Sequence, residues 1–135
     1  MSAPTTRADK LLAFLEDWQD KPATWGTSDC SGWPALWFFT ATGARVPLPA
    51  YSTQGEAARH IVKAGSLVAL WRHCLASTHA YEIEPEEARL GDVGVIEMSD
   101  GQKGFIFANP EFGYVKSDVG ILPIPARHIA AAWRI

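Results

Sequence analysis

An α+β fold is predicted, with helices packed against an antiparallel sheet, because two kinds of hydrophobic pattern occupy different halves of the chain. Up to about residue 75 apolar residues recur at helical spacing behind N-cap signals. After Gly91 the chain turns to short β-rich runs separated by turn residues. Helices first and strands afterwards place the helices on one side of the sheet instead of between parallel strands.

The helices follow in order. Thr6 precedes Asp9 by three residues, a hydroxyl cap with an acid in the first turn, and Leu11, Leu12, Phe14, Leu15 and Trp18 then repeat at helical spacing to about Pro22. A second helix is expected over Trp33 to Ala41, closed by Gly43 and so apolar on most sides that it should be central. Pro34 belongs in its first turn and places the regular start at or just after Ser31. The prolines of Pro47-Leu48-Pro49 keep the next segment extended. Thr53-Gln54-Gly55-Glu56 is a capping box that opens a third helix, with Ala57, Ala58, Ile61 and Val62 inward and Gly65 at its end. Leu67 to Leu75 is a short fourth helix. Glu84-Pro85-Glu86-Glu87 reads as a solvated acidic turn.

The strands begin with Val93 to Met98. Ser99-Asp100-Gly101 turns the chain, Phe105-Ile106-Phe107 resumes the β pattern, and Gly113 to Lys116 and Gly120 to Leu122 continue a meander. Ala130 to Ile135 is a final apolar strand whose Trp133 closes the core.

With 135 residues, 47% hydrophobic and 20% charged, residues 1–135 fit one domain able to bury about 70% of its unfolded surface. A formal net charge of −3 with scattered Lys and Arg argues against nucleic acid as a partner, which would require concentrated positive charge. The polar start of the chain lacks the apolar core of a signal peptide, and no stretch is long enough to insert into a membrane. Cys30 and Cys74 are expected as two thiols, not a disulfide.

Cys30 stands just before the second helix, where a helix N-terminus favours a thiolate; the same place beside Trp25 and Trp33 also suits a packed structural cysteine. The segment Trp25-Gly26-Thr27-Ser28-Asp29-Cys30-Ser31-Gly32, the apolar helix, Thr42-Gly43 and the later Gly91-Asp92-Val93-Gly94-Val95-Ile96 together resemble the NlpC-type, papain-like cell-wall cysteine peptidases. That resemblance covers residues 22 to 122. It implies Cys30 as nucleophile, Asp29 in support, a histidine opening the second strand of the sheet, a polar residue on the strand after it, and a peptidoglycan peptide as substrate. A closer resemblance, to small tail proteins of bacterial viruses and gene transfer agents, adds Pro49-Ala50-Tyr51-Ser52-Thr53 and Ala132-Trp133-Arg134-Ile135.

The sequence departs from the peptidase pattern at one point. Aligning Gly104 to Phe107 with the second strand puts Lys103 or its neighbour in the approximate histidine slot. A lysine, with an ordinary pKa of about 10.4, is protonated at neutral pH and cannot accept the proton a general base must take. Of the other histidines, His60 and His73 read as helix-surface residues, His128 precedes the last strand, and His79, in a loop, is the least implausible replacement. Cys74, His73 and His79 lack a fourth spaced ligand, so neither metal nor cofactor is expected. Trp25 and Gly26 belong to the expected cleft; Gly91 and Asp92 complete the motif, Asp92 bonding backbone at the start of the strand.

The expectation is a tail-tip or baseplate component of a phage or phage-like particle, assembled in the bacterial cytoplasm without a signal peptide and carrying a non-catalytic papain-like fold. Its partners would be other tail or baseplate proteins. Alternatively it is an active cysteine peptidase or amidase acting on peptidoglycan during infection. A third reading is a non-viral protein that uses the cleft for binding alone.

Overall fold

The computed structural model describes residues 6–24, 29, 32–118 and 120–135. Among these residues four α-helices precede all six strands of an antiparallel sheet, the α+β arrangement expected.

Helix α1 spans Arg7–Trp18, with the Thr6 hydroxyl accepting from the Asp9 N–H at 3.0 Å. Leu11 and Phe14 point into the core, whereas Leu12 is 60% exposed. Helix α2 is Gly32–Thr42, and the Gly43 N–H bonds the Phe39 carbonyl at 2.8 Å where Gly43 takes a positive φ of 79°. Trp33, Trp37 and Phe38 are fully buried, but Phe39 is exposed and Ala35 and Leu36 only half-buried. The helix is therefore covered on one side and presents an apolar outer face, not the all-round burial its composition suggested.

Helix α3, Gln54–Ala64, is capped by Thr53, whose hydroxyl accepts from the Glu56 N–H at 3.2 Å. The Glu56 carboxylate accepts from the Ser52 and Thr53 hydroxyls. Of the positions expected inward, Ala57 is buried and Ile61 half-buried, while Ala58 and Val62 face solvent. Helix α4, Leu67–Leu75, is tied to the sheet because Gln102 Oε1 accepts from the Leu67 and Val68 N–H groups at its start.

The strands are β1 Tyr81–Ile83, β2 Val93–Met98, β3 Gly101–Asn109, β4 Phe112–Lys116, β5 Ile121–Pro125 and β6 Ile129–Arg134, in the order β1-β6-β2-β3-β4-β5. β2 to β5 form the expected meander, and β6 returns to pair with β2. β1, three residues long and largely exposed, escaped the sequence; the exposed pair of Arg72 with Glu82, at 2.8 Å, ties it to α4. The acidic turn is a short 3-10 segment, Pro85–Glu87.

Alternation along the strands divides the core between two faces. Val93, Val95, Ile106, Ala131 and Trp133 pack with the helices. Ile96, Phe105, Phe107, Val115 and Ala132 form with Ala88 a second cluster, which includes no residue of the four α-helices. Glycines make room for its rings, which meet edge to face at 81°: a Cβ on Gly94 would stand 2.9 Å from the Phe107 ring, and one on Gly113 2.6 Å from the Phe105 ring.

At the edge, β5 carries Pro123 and Pro125 opposite Tyr114 and Phe112. The Ala126 N–H bonds back to the Glu111 carbonyl at 2.8 Å, so alternate residues face β4 and the prolines face outward.

Candidate functional site

The first turn of α2 is organised by Asp29, which is 3% exposed. Its Oδ1 accepts from the Gly32 N–H at 2.7 Å, and its carbonyl accepts from the Trp33 N–H at 2.9 Å. A short carboxylate three residues ahead of the amide it binds is an N-cap, and the helix dipole favours its charge. The Tyr51 hydroxyl donates to the same Oδ1 at 2.9 Å, so the extended proline segment is anchored at the start of α2. Trp25, Gly26 and Cys30 lie outside the described residues.

Asp29 lines a cleft of about 470 Å³ together with Lys103 on β3, Lys116 on β4, Gln54 at the start of α3, and Asp100 and Asp118. Lys103 pairs with Asp100 at 3.1 Å, and this ammonium holds the Asp100 carboxyl below its ordinary range. Because β3 and β4 run antiparallel with Ile106 opposite Tyr114, the opening of β3 and the close of β4 reach the same end of the sheet.

Lys116 was not singled out from the sequence. In a strand where Val115 faces inward, alternation sends Lys116 to the other face, yet both are buried. Its Nζ donates to the carbonyls of Lys21 at 2.5 Å, Ser117 at 2.9 Å and Gly120 at 3.4 Å. Burial pushes its pKa down, with the Asp118 carboxylate acting in the opposite direction. Three donors meeting three carbonyls make it a clip that holds the segment leading to Asp29 against the β4–β5 turn. The Ala23 N–H adds a bond to the Asp118 carbonyl at 3.3 Å.

Gly91 and Asp92 do not line the cleft. They precede β2, whose far end, Met98, is the part that reaches it. Gly91 has a positive φ of 88°, and its carbonyl accepts from Trp37 Nε1 at 2.7 Å. A Cβ there would stand 2.7 Å from the Arg7 side chain and 3.0 Å from the Trp37 ring. Asp92, 1% exposed, accepts from Arg134 Nε at 2.8 Å, the Arg89 N–H at 2.8 Å and the Ile135 N–H at 3.3 Å. The same pair raises the Arg134 pKa. This node locks the last strand to the start of β2.

The family described as Domain of unknown function (DUF6950) matches residues 5–135. The chain belongs to this family. No curated protein matches it. The DUF6950 match runs through both motif pairings, Asp29 with Tyr51 and Asp92 with Arg134.

None of the histidines of this DUF6950 chain lines the Asp29 cleft, all four being among the described residues. His79 packs on Phe38, ring centroids 5.4 Å apart. His60 Nε2 lies 3.2 Å from the Ala50 carbonyl, His73 is on α4, and His128 is exposed with a positive φ of 60°. Cys74 is a free buried thiol whose pKa burial pushes up. Among the described residues no three His, Cys, Asp or Glu side chains gather as a metal set, and no helix is long and apolar enough to cross a membrane.

Proposed function

We propose that this DUF6950 chain is a papain-like, NlpC-type domain that does not catalyse, and that it serves as a tail-tip or baseplate component of a phage or phage-like particle. The observation that carries the non-catalytic half is the make-up of the Asp29 cleft. Its strand side offers two ammonium groups, Lys103 and Lys116, and its described lining holds no imidazole. A cysteine peptidase needs a base that takes the thiol proton and returns it to the leaving amine. Lys116 has all three of its donors committed to carbonyls, and Lys103 is paired with Asp100. An ammonium can favour a neighbouring thiolate but carries no free electron pair with which to accept its proton.

The tail assignment rests on the resemblance of Asp29-Cys30, the Tyr51 segment, Gly91-Asp92 and the Trp133-Arg134 strand to phage tail proteins. Supporting it, those four segments join as two half-buried pairs, so the shared residues have a joint structural reason to occur together.

The test is a Cys30→Ala substitution in the producing phage or particle, with mass spectrometry of purified particles and a count of infectious units. The expected result is the chain present in tails and unchanged infectivity. Normal assembly with lost infectivity would overturn the non-catalytic reading in favour of a peptidase acting on peptidoglycan, and iodoacetamide-sensitive release of wall peptides by purified protein would establish that alternative. Absence of the chain from purified particles would overturn the tail assignment.

A further inference from the structure

We propose a second ligand site in the groove between α3 and α4, one that takes a small amphipathic carboxylate, an apolar chain ending in a single negative charge. The groove has a volume of about 460 Å³, within the range of small-molecule sites. It is separate from the Asp29 cleft and shares no lining residue with it.

Its floor is Leu70 and Cys74, both nearly buried on α4. Pro47 and Pro49 form one wall, and their fixed φ angles make it stiff, so little order is lost on binding. Lys63, His60 and His73 stand around this apolar floor, and no acidic residue is present in the lining. The nearest carboxylate on α3 in the direction of its N-terminus, Glu56, is engaged by the Ser52 and Thr53 hydroxyls.

The chemistry of the occupant follows from that asymmetry. An uncharged apolar molecule would gain nothing from the exposed Lys63 ammonium, and a cation would be repelled by it. A polyanion such as a nucleotide would place several charges over Leu70 and Cys74, where they would lose their water without gaining partners. A single carboxylate at the Lys63 and His73 rim, with its chain along Leu70 and Cys74, satisfies both halves. The groove between α1 and α2, lined by Trp18, Leu36 and Phe39, is also apolar, but its lining carries one acid, Asp17, with one base, Lys10. It serves as the internal control.

The probes are decanoate and 1-decanol, below their aggregation limits, followed by amide chemical-shift changes in the full chain. Saturable shifts at Lys63, Leu70 and Cys74 are expected with decanoate, with decanol weaker by about tenfold, the affinity that a few exposed charge contacts supply. The variant Lys63→Glu with His73→Glu should weaken decanoate by about the same factor. Ala64→Trp, an exposed position that lines the groove, should block binding with the fold intact by circular dichroism. Equal binding of decanol and decanoate, shifts centred on Phe39, or no saturable binding would each overturn the proposal, as would an acidic peptide binding there when decanoate does not.

Discussion

Tyr51 and Asp29, 22 residues apart, meet in a hydrogen bond of 2.9 Å from the phenol hydroxyl to a carboxylate oxygen that already caps α2. One carboxylate therefore fixes two segments. Tyr51→Phe should lower stability by about 1–2 kcal/mol, and Asp29→Ala by about 2–4 kcal/mol since it also removes the cap. In the double variant the losses should sum to less than the two singles, measured by denaturant unfolding. Full additivity would mean the two residues do not share this bond.

Arg134 and Asp92 offer a second cycle. Arg134→Met leaves a carboxylate that is 1% exposed without its cation, which should cost about 3 kcal/mol. Asp92→Asn should cost less, because an amide oxygen in the Oδ2 place still accepts from the Arg89 N–H and Arg134 Nε, and only the long bond from the Ile135 N–H to Oδ1 is lost. If Arg134→Met unfolds at the wild-type denaturant midpoint, the node does not hold β6 in place.

Lys116 predicts a pH dependence. Its folded pKa lies below the ordinary 10.5, so between the folded value and 10.5 the unfolded chain binds more protons and stability rises with pH. Lys116→Met should be destabilised by about 2–3 kcal/mol at neutral pH through orphaned carbonyls. The advantage of the wild type over the variant should widen as the pH climbs through that window. A narrowing advantage would show that the ammonium is favoured on folding.

The two thiols should behave differently. Cys74, 4% exposed and with a raised pKa, should resist iodoacetamide in the native state and react on unfolding. The proposed papain-like reading puts Cys30 near Lys103, so its alkylation at pH 7 should slow several-fold in Lys103→Met through loss of a nearby positive charge. An unchanged rate would separate Lys103 from Cys30.

The element types were legible because their signals were local. Thr6, Thr53 and Gly65 marked helix ends by side-chain or backbone chemistry confined to a few residues. Facing directions were less legible, since Leu12, Ala58 and Val62 sit on the margins of their apolar stripes and only the neighbouring elements decide whether they are covered. β1 was missed because it is three residues long and largely exposed, too short for its Tyr-Glu-Ile alternation to stand out. In the cleft, Asp29 and Lys103 were found from their motifs, and Lys116 was not, because its burial depends on carbonyls from Lys21 and Gly120 that no spacing in the sequence relates to it. The role of Gly91 and Asp92 depends likewise on distant partners, Trp37 and Arg134.

The outward prolines of β5 limit how copies of this chain can assemble. An added strand needs donors along the free edge, and Pro123 and Pro125 supply none. Neighbouring copies in a ring or tube could not continue the sheet across that boundary. Contacts would have to run through side chains instead, and the uncovered flank of α2 around Phe39 has the apolar surface for them. At high local concentration that edge of the sheet stays closed to strand addition.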